Sequence, residues 1–296
     1  MSLISDFKES DGIENINVNN GFEDIFVDFE NRRNPEYESF TVEKKGGKLS
    51  FVNNGGFQSR NSSTVWCIKE ADKIYKWADF RKIKIVTNDG YCKEGEFAYS
   101  SGLPNLNHVI PDFNFRHWME VGIKDYDETT QLITEAGKEP FKIDKVGWIG
   151  NLETNKNRIK LFEMGKRFSE DLHILESNWR GQGIFISLPD LVRTYSMLID
   201  IEGWGYSGRL KYLMFSRRPI LLVDRPHKEW FFEYLKPWTH YIPVKNDLSD
   251  LIDMVSWIKK NYKDALQIGE NAFAFAKEHC VREAAFKRWD KIITSL

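Results

Sequence analysis

The sequence predicts an α/β protein whose second half is a doubly wound, Rossmann-like parallel sheet behind a less regular α/β half. Two observations carry this. From residue 145 onward, short apolar runs alternate with stretches of helical spacing, the pattern of buried parallel strands covered on both faces by helices. Before residue 60 the chain is instead polar and rich in Asn and Gly turn signals, which mark a short β-rich entry. Its 296 residues suffice for a sizeable core, in two domains or one large one.

Turn signals stand at Asn19-Asn20-Gly21, Gly46-Gly47 and Asn53-Asn54-Gly55-Gly56, and Lys48–Val52 between the last two reads as a hairpin strand. Ser62–Lys76 has helical spacing, Lys82–Thr87 alternates like a strand, and Glu128–Ala136 reads as a helix after a Gly- and Pro-punctuated stretch. In the second half the strands are Lys145–Ile149, Leu172–Leu175, Met197–Ile201, Pro219–Val223 and His240–Val244. Between them, Asn157–Phe168, Pro189–Tyr195, Ser207–Phe215 and Glu229–Leu235 read as helices. Leu248, Leu251, Ile252, Val255 and Ile258 form a helical stripe, and two further helical stretches follow. Glu139-Pro140 breaks the preceding helix, so a boundary is expected near Lys138–Asp144. The expected division is 1–142, 143–270 and a C-terminal helix over 271–296 that returns to the first unit.

Composition excludes several function classes. With 42 Lys+Arg against 44 Asp+Glu, net charge −2, the chain has no broad basic face for nucleic acid. No apolar run approaches the ~20 residues of a membrane span, and the opening MSLISDFKESDG lacks a signal-peptide pattern, so a cytoplasmic protein is expected. Cys67, Cys92 and Cys280 are odd in number and far apart, and the six His residues form no HxH or HExxH pair, so neither a disulfide framework nor a metal site is expected. Aromatics reach 14% with 10 Trp although hydrophobics total 41%. Most of these rings are expected in the core.

The most informative stretch is Asp200-Ile-Glu-Gly-Trp-Gly-Tyr-Ser-Gly-Arg-Leu-Lys-Tyr-Leu-Met214. A buried-type strand enters a Gly-rich turn, and a helix leaves it with Ser207 placed to cap it. Gly203, Gly205 and Gly208 let backbone approach a ligand, and the new helix N-terminus favours a phosphate. Arg209 in its first turn is unfavourable against the helix dipole unless an anion sits there, and a guanidinium suits bidentate phosphate contact. A plain glycine turn with a solvated Arg is the alternative. A second turn follows the first strand of this half, with Gly150 and Asn151 at the strand's carboxyl end and Arg158 on the next helix within reach of the same phosphates. Gly203-x-Gly-x-x-Gly208 also spells the dinucleotide fingerprint, with Asp224 ending the next strand, so an NAD(P)-dependent oxidoreductase competes. Against it, two strands precede the fingerprint, and Trp204 and Tyr206 crowd the loop.

Gly205-Tyr-Ser-Gly-Arg-Leu-Lys-Tyr-Leu213, Leu235-Lys-Pro-Trp-Thr-His-Tyr-Ile-Pro-Val-Lys245 and Leu248-Ser-Asp-Leu251, with Ile110-Pro-Asp-Phe-Asn-Phe115 and Gln58-Ser-Arg60 upstream, resemble glycosyltransferase family 90 over roughly residues 40–290. That family contains protein O-glucosyltransferases and fungal capsule xylosyltransferases, and this compact chain is similar to its virus-encoded branch. The resemblance implies a GT-B-like fold, two Rossmann-like domains facing a central cleft with C-terminal helices packing back. The first domain would be the acceptor side and the second the donor side. It implies inverting, metal-independent transfer of xylose or glucose from a UDP-sugar to a glycan or glycoprotein acceptor, with no cofactor. Donor binding would fall to Gly150, Asn151, Arg158, Gly205, Tyr206, Ser207, Gly208 and Arg209, and Trp118 would contact acceptor or sugar. The base would be Asp89 in Ile85-Val-Thr-Asn-Asp-Gly-Tyr91, where Gly90 is inserted before the family's aromatic, with Asp112 in reserve.

An Asp there suits the chemistry, because an inverting transfer needs one carboxylate to take the acceptor proton. The departing diphosphate needs positive charge, which Arg209 supplies. Read without the family, Asp89 is an ordinary turn residue in Asn-Asp-Gly. Asp125-Tyr-Asp127 spells the DxD of metal-dependent glycosyltransferases and is expected to be a solvated acidic turn. Asn61 begins an Asn-x-Ser sequon. A non-catalytic carbohydrate-binding protein that uses the aromatics is the remaining alternative.

Overall fold

A computed structural model describes residues 38–89, 93–177 and 184–296. The Asn19-Asn20-Gly21 turn, the opening segment, Gly90, Tyr91 and Cys92 lie outside the described residues. Strands β1 (Ser39–Lys45) and β2 (Lys48–Asn53) form the expected hairpin. Gly46 and Gly47 take φ of 58° and 77°, the doubly left-handed turn whose twist matches paired strands. β1 pairs antiparallel with β3 (Phe80–Val86), and β3 pairs parallel with β4 (Phe97–Ala98), giving the order β2-β1-β3-β4. Only that last pairing is parallel, so this half is the less regular α/β unit. Helices α1 (Gln58–Tyr75) and α2 (Tyr126–Lys138) accompany it. Asn61 is buried in α1, where its amide donates to Asn53 Oδ1 at 2.9 Å and to the Gly55 carbonyl at 2.8 Å.

The second sheet is wholly parallel: β5 (Ile143–Gly150), β6 (Leu172–Glu176), β7 (Tyr195–Asp200), β8 (Ile220–Val223) and β9 (Ile242–Val244) lie in the order β6-β5-β7-β8-β9. The chain therefore steps outward from β5 to β6 and then returns to the other side of β5 as β7. This reversal creates a crevice beyond the carboxyl ends of β5 and β7, where open α/β sheets bind ligands. Helices α3 (Lys156–Arg167) and α4 (Leu188–Thr194) intervene between the early strands, and α6 (Leu251–Lys260) follows the last. One core, including Trp148, Leu161, Ile199, Leu221 and Ile258, fills one face of this sheet. The other core runs continuously from Ile68 and Phe115 through Tyr212 and Leu213 to Trp289, so it lies beneath both halves. Trp148, Trp289, Tyr99, Tyr126, Tyr195 and Tyr212 are among the largest fully buried side chains, which places much of the aromatic excess in the core.

Two predicted helices are truncated. Ser207–Phe215 reduces to α5 (Leu210–Leu213) and a 3-10 turn at Met214–Ser216, because Ser207–Arg209 are held in a loop by contacts described below and Arg217 turns left-handed at φ 57°. Glu229–Leu235 reduces to a 3-10 turn at Trp230–Glu233, where consecutive aromatics disfavour a regular helix. After α7 (Tyr262–His279), α8 (Arg282–Thr294) crosses back to pack on α1, and Trp77 Nε1 donates to Asp290 Oδ1 at 2.8 Å. Among the described residues no helix is long and apolar enough to cross a membrane.

Candidate active site

The crevice between β5 and β7 gathers three guanidinium groups. Arg158, on the first turn of α3, donates through Nε to the Glu202 carbonyl (2.8 Å), through Nη1 to the Asn151 carbonyl (3.1 Å) and through Nη2 to the Ile201 carbonyl (3.2 Å). It thus laces together the two loops that leave β5 and β7. Arg209 reaches the same edge, donating to the Ile149 carbonyl at 2.6 Å. Both guanidiniums lie near the Trp148 ring, at 5.4 and 5.8 Å from its centroid. Burial and the adjacent Arg209 charge lower the Arg158 pKa to about 9, and burial also lowers that of Arg209. The third, Arg225, is sealed from solvent just after β8 and pairs through Nη2 with Asp200 Oδ2. Its Nη1 is buried without a partner, as is Glu202 Oε2 at the end of β7.

The glycine loop differs from its sequence reading. Ser207 does not cap a helix: its hydroxyl donates to Asp200 Oδ1 at 2.6 Å, and α5 begins with Arg209 as N-cap and no side-chain cap. A four-residue helix has almost no aligned dipole, so any anion here is met by side-chain charge rather than by a helix N-terminus. Gly208 is required by the protein rather than by a ligand, since a Cβ would overlap Asn114 Nδ2 and stand 3.3 Å from Trp118 Cζ3. Gly150 likewise makes room for the Trp148 ring, and the Asn151 side chain caps a 3-10 turn by accepting from the Glu153 N–H at 2.8 Å. Gly205 is buried within the loop, which is closed by Gly203 N–H donating to the Tyr206 carbonyl at 3.2 Å.

The Pro111–Phe115 segment of the first half docks onto this loop. Lys211, one turn beyond Gly208, places Nζ 2.6 Å from Asp112 Oδ2 and 3.6 Å from Glu229 Oε1, all three side chains sealed from solvent. Asn114 Nδ2 donates to Asp112 Oδ2 at 3.0 Å, and the Tyr212 hydroxyl donates to the Asn114 carbonyl at 3.0 Å. Asp112 is therefore buried with Oδ2 held by Lys211 and Asn114, while its Oδ1 is buried without a partner among the described residues. Trp118 is half-buried, edge-on to Phe113 at 6.1 Å and packed against Gly208 of the glycine loop.

Asp89 lies just beyond β3 with its side chain 26% exposed. Arg60, on the first turn of α1, grips it with both nitrogens: Nη1 to Oδ1 at 2.7 Å and Nη2 to Oδ2 at 3.2 Å. Ser100 Oγ donates to the Asp89 carbonyl at 3.0 Å. The link to the donor loop is Tyr206, whose ring stands 6.4 Å from that of Tyr99. Burial raises the Tyr206 pKa well above the usual tyrosine value, and the charges of Asp112 and Asp89 push the same way. Tyr206 thus lies within the electrostatic reach of Asp89 and Arg60 on one side, and belongs to the loop that carries Gly208 and Arg209 on the other.

The side chains of Asp125 and Asp127 are solvent-exposed as expected, but they stand at the start of α2 rather than in a free turn. Asp125 caps α2 by accepting from the Glu128 N–H at 2.9 Å, and Arg282 bridges both carboxylates at 2.7 Å. No group of three or more His, Cys, Asp or Glu among the described residues is arranged to hold a metal ion. The dinucleotide reading fits poorly as well. Its fingerprint follows the third strand of the sheet, a Cβ on Gly203 would stand 3.4 Å from Arg158 Nη2, and the space beside Gly208 is filled by Asn114 and Trp118. Sequence reasoning assigned no role to Asp200, Arg225, Lys211 and Glu229. Lys211 carried a signal, because a lysine on the buried face of a short apolar helix needs a partner carboxylate.

The sequence profile of Glycosyl transferase family 90 matches residues 85–295. Protein O-glucosyltransferase 3 of Homo sapiens is 24% identical over 61% of this chain and 38% of its own length. Protein O-glucosyltransferase 2 of Danio rerio is 27% identical over 51% and 32%. Protein 035R of Invertebrate iridescent virus 3 is 30% identical over 51% of this chain and 16% of its own. The chain thus spans well under half the length of these curated relatives. Among solved structures, Anabaena HepE in complex with UDP-glucose aligns with a TM-score of 0.38 at 12% identity, covering 56% of this chain and 45% of that one. With 211 of its residues under the family profile, counted from 85 through 295, the chain belongs to glycosyl transferase family 90.

Proposed function

We propose that this chain transfers xylose or glucose from a UDP-sugar to a hydroxyl of a glycan or glycoprotein acceptor, with inversion and without a metal. The observation that carries the reading is the pair Arg158 and Arg209. Two like charges converge on the backbone ends of β5 and β7, at the one place where this sheet topology opens a crevice. A diphosphate offsets that repulsion, and the buried unpartnered atoms of Arg225 and Glu202 add hydrogen-bonding capacity for a polar ligand beside it.

In this reading Asp89 takes the proton of the acceptor hydroxyl, whose oxygen attacks the anomeric carbon from the face opposite the diphosphate. The bond from the anomeric carbon to the β-phosphate oxygen breaks, and its electron pair remains on that oxygen. Arg209 and Arg158 stabilise the charge that develops there. No step requires a divalent cation, and the DxD carboxylates are held by Arg282. Glucose and xylose differ by one hydroxymethyl, which pocket shape discriminates.

Donor hydrolysis over a panel of UDP-sugars, with and without excess chelator, tests the proposal because it requires no known acceptor. Cleavage of UDP-glucose or UDP-xylose that survives chelation supports it. Binding of NAD(P) with no binding of UDP overturns it.

A further inference from the structure

We infer that Arg60 is the positioning residue of the transfer reaction: its planar fork holds the Asp89 carboxylate in one orientation and leaves its outer lone pairs to the acceptor. This deepens the proposed function and rests on Asp89 being its base.

Arg60 is itself locked. It is the third residue of α1, and its backbone carbonyl accepts from Thr64 Oγ1 at 2.9 Å. Its guanidinium lies 4.7 Å from the Phe57 ring centroid and 5.0 Å from that of Phe113, a ring from each of two segments. Nη1 also reaches the Thr87 carbonyl at 3.3 Å, so the fork is registered on the backbone that leads into Asp89 as well as on its side chain. Each carboxylate oxygen accepts one hydrogen bond from the fork, which leaves each a second lone pair. A general base needs such a free, directed lone pair within reach of the hydroxyl, and a carboxylate free to rotate supplies it only part of the time. In this role Arg60 acts through Asp89, to which both of its terminal nitrogens are bonded.

Replacing charge with a neutral amide raises the pKa of a carboxylate that has lost its partner. The other titratable groups in the electrostatic field of Arg60 are Tyr99 and Tyr206, and burial raises both above the usual tyrosine value.

The experiment is the pH dependence of donor hydrolysis, with whichever of UDP-glucose and UDP-xylose the wild-type chain cleaves, for Arg60→Gln, Arg60→Lys, Asp89→Asn and the Arg60→Gln/Asp89→Asn double variant. Arg60→Gln is expected to lower kcat about ten- to a hundred-fold with little change in KM. It should also move the acidic limb upward by about one pH unit. Arg60→Lys should recover part of the rate and most of the limb, having charge without the fork. On the Asp89→Asn background, Arg60→Gln should change the residual rate less than about twofold, because a residue that acts through Asp89 has nothing left to act on. An unmoved acidic limb, or the same proportional loss on both backgrounds, overturns the inference. Should Arg60→Gln fail to fold by circular dichroism, Arg60→Lys carries the test alone: an unchanged kcat there overturns it, and a reduced kcat with a near-normal limb supports it. A near-normal rate in Asp89→Asn would instead remove Asp89 as base, and a wild-type chain that cleaves neither donor removes both readings.

Discussion

The Lys211 ammonium lies 2.6 Å from Asp112 Oδ2 with neither side chain open to solvent, and this contact joins the Pro111–Phe115 segment to the donor loop. Removing one partner leaves the other charge buried and unpaired, which typically costs about 3–5 kcal/mol. Asp112→Ala should therefore lower the unfolding free energy measured in urea by that amount, with Lys211→Ala similar. A catalytic role for Asp112 would appear as loss of donor hydrolysis in Asp112→Asn far beyond that in Lys211→Ala, under conditions where unfolding curves show both variants folded.

Glu229 shares that buried site and makes the fold sensitive to pH. Burial raises its pKa to about 8, with the Lys211 charge opposing and Asp112 adding to the rise. The folded chain thus holds a proton that the unfolded chain releases above about pH 4.5, the ordinary value. Stability conferred by this group is complete below that value and falls as pH rises toward 8, by at most about 1.4 kcal/mol per pH unit. Glu229→Gln keeps the neutral form at every pH, so its denaturant midpoint should decline less between pH 5 and 8 than that of the wild type. Parallel declines would assign the pH dependence elsewhere.

Arg158 and Arg209 should separate under mutation. Arg209→Ala removes one charge-assisted contact to a diphosphate, worth about 1.5–3 kcal/mol, or roughly ten- to a hundred-fold in UDP affinity. The hydrogen bond that its side chain makes to the Ile149 carbonyl is a minor loss. Arg158→Ala should weaken UDP comparably and also lower the melting temperature, because three carbonyls lose their donor. Calorimetric titration with UDP and thermal unfolding of both variants decide this. Unchanged UDP affinity in Arg209→Ala would remove the phosphate site.

The strands of the parallel sheet, the hairpin and most helices were legible in the sequence because burial periodicity is local. The failures are non-local. Ser207–Phe215 has helical spacing, yet its first residues answer to Asp200, Asn114 and Trp118, partners at sequence distances that no window sees. For the same reason Gly208 reads as a ligand-facing glycine when its missing Cβ admits two side chains from the other half. Asp112 sits in a motif that resembles a functional one, and only the fold shows that Lys211 holds one of its two carboxylate oxygens. Asp89 was found through family likeness. Its partner Arg60 stood in a quoted motif but gained a role only once α1 and β3 were placed together.

Gly208→Ala tests that packing directly. The added methyl meets Asn114 Nδ2 head-on and crowds the Trp118 ring. Withdrawal of the Asn114 side chain would cost its hydrogen bond to Asp112 Oδ2, and the Tyr212 hydroxyl fixes the backbone carbonyl from which that side chain springs. Overpacking of this kind costs about 1–3 kcal/mol, and UDP affinity should fall with it because Arg209 is the next residue. Asn114→Ser shortens the obstructing side chain, so the Gly208→Ala/Asn114→Ser double variant should be more stable than the sum of the two single losses. Strict additivity of the unfolding free energies would show that the two positions do not share this contact.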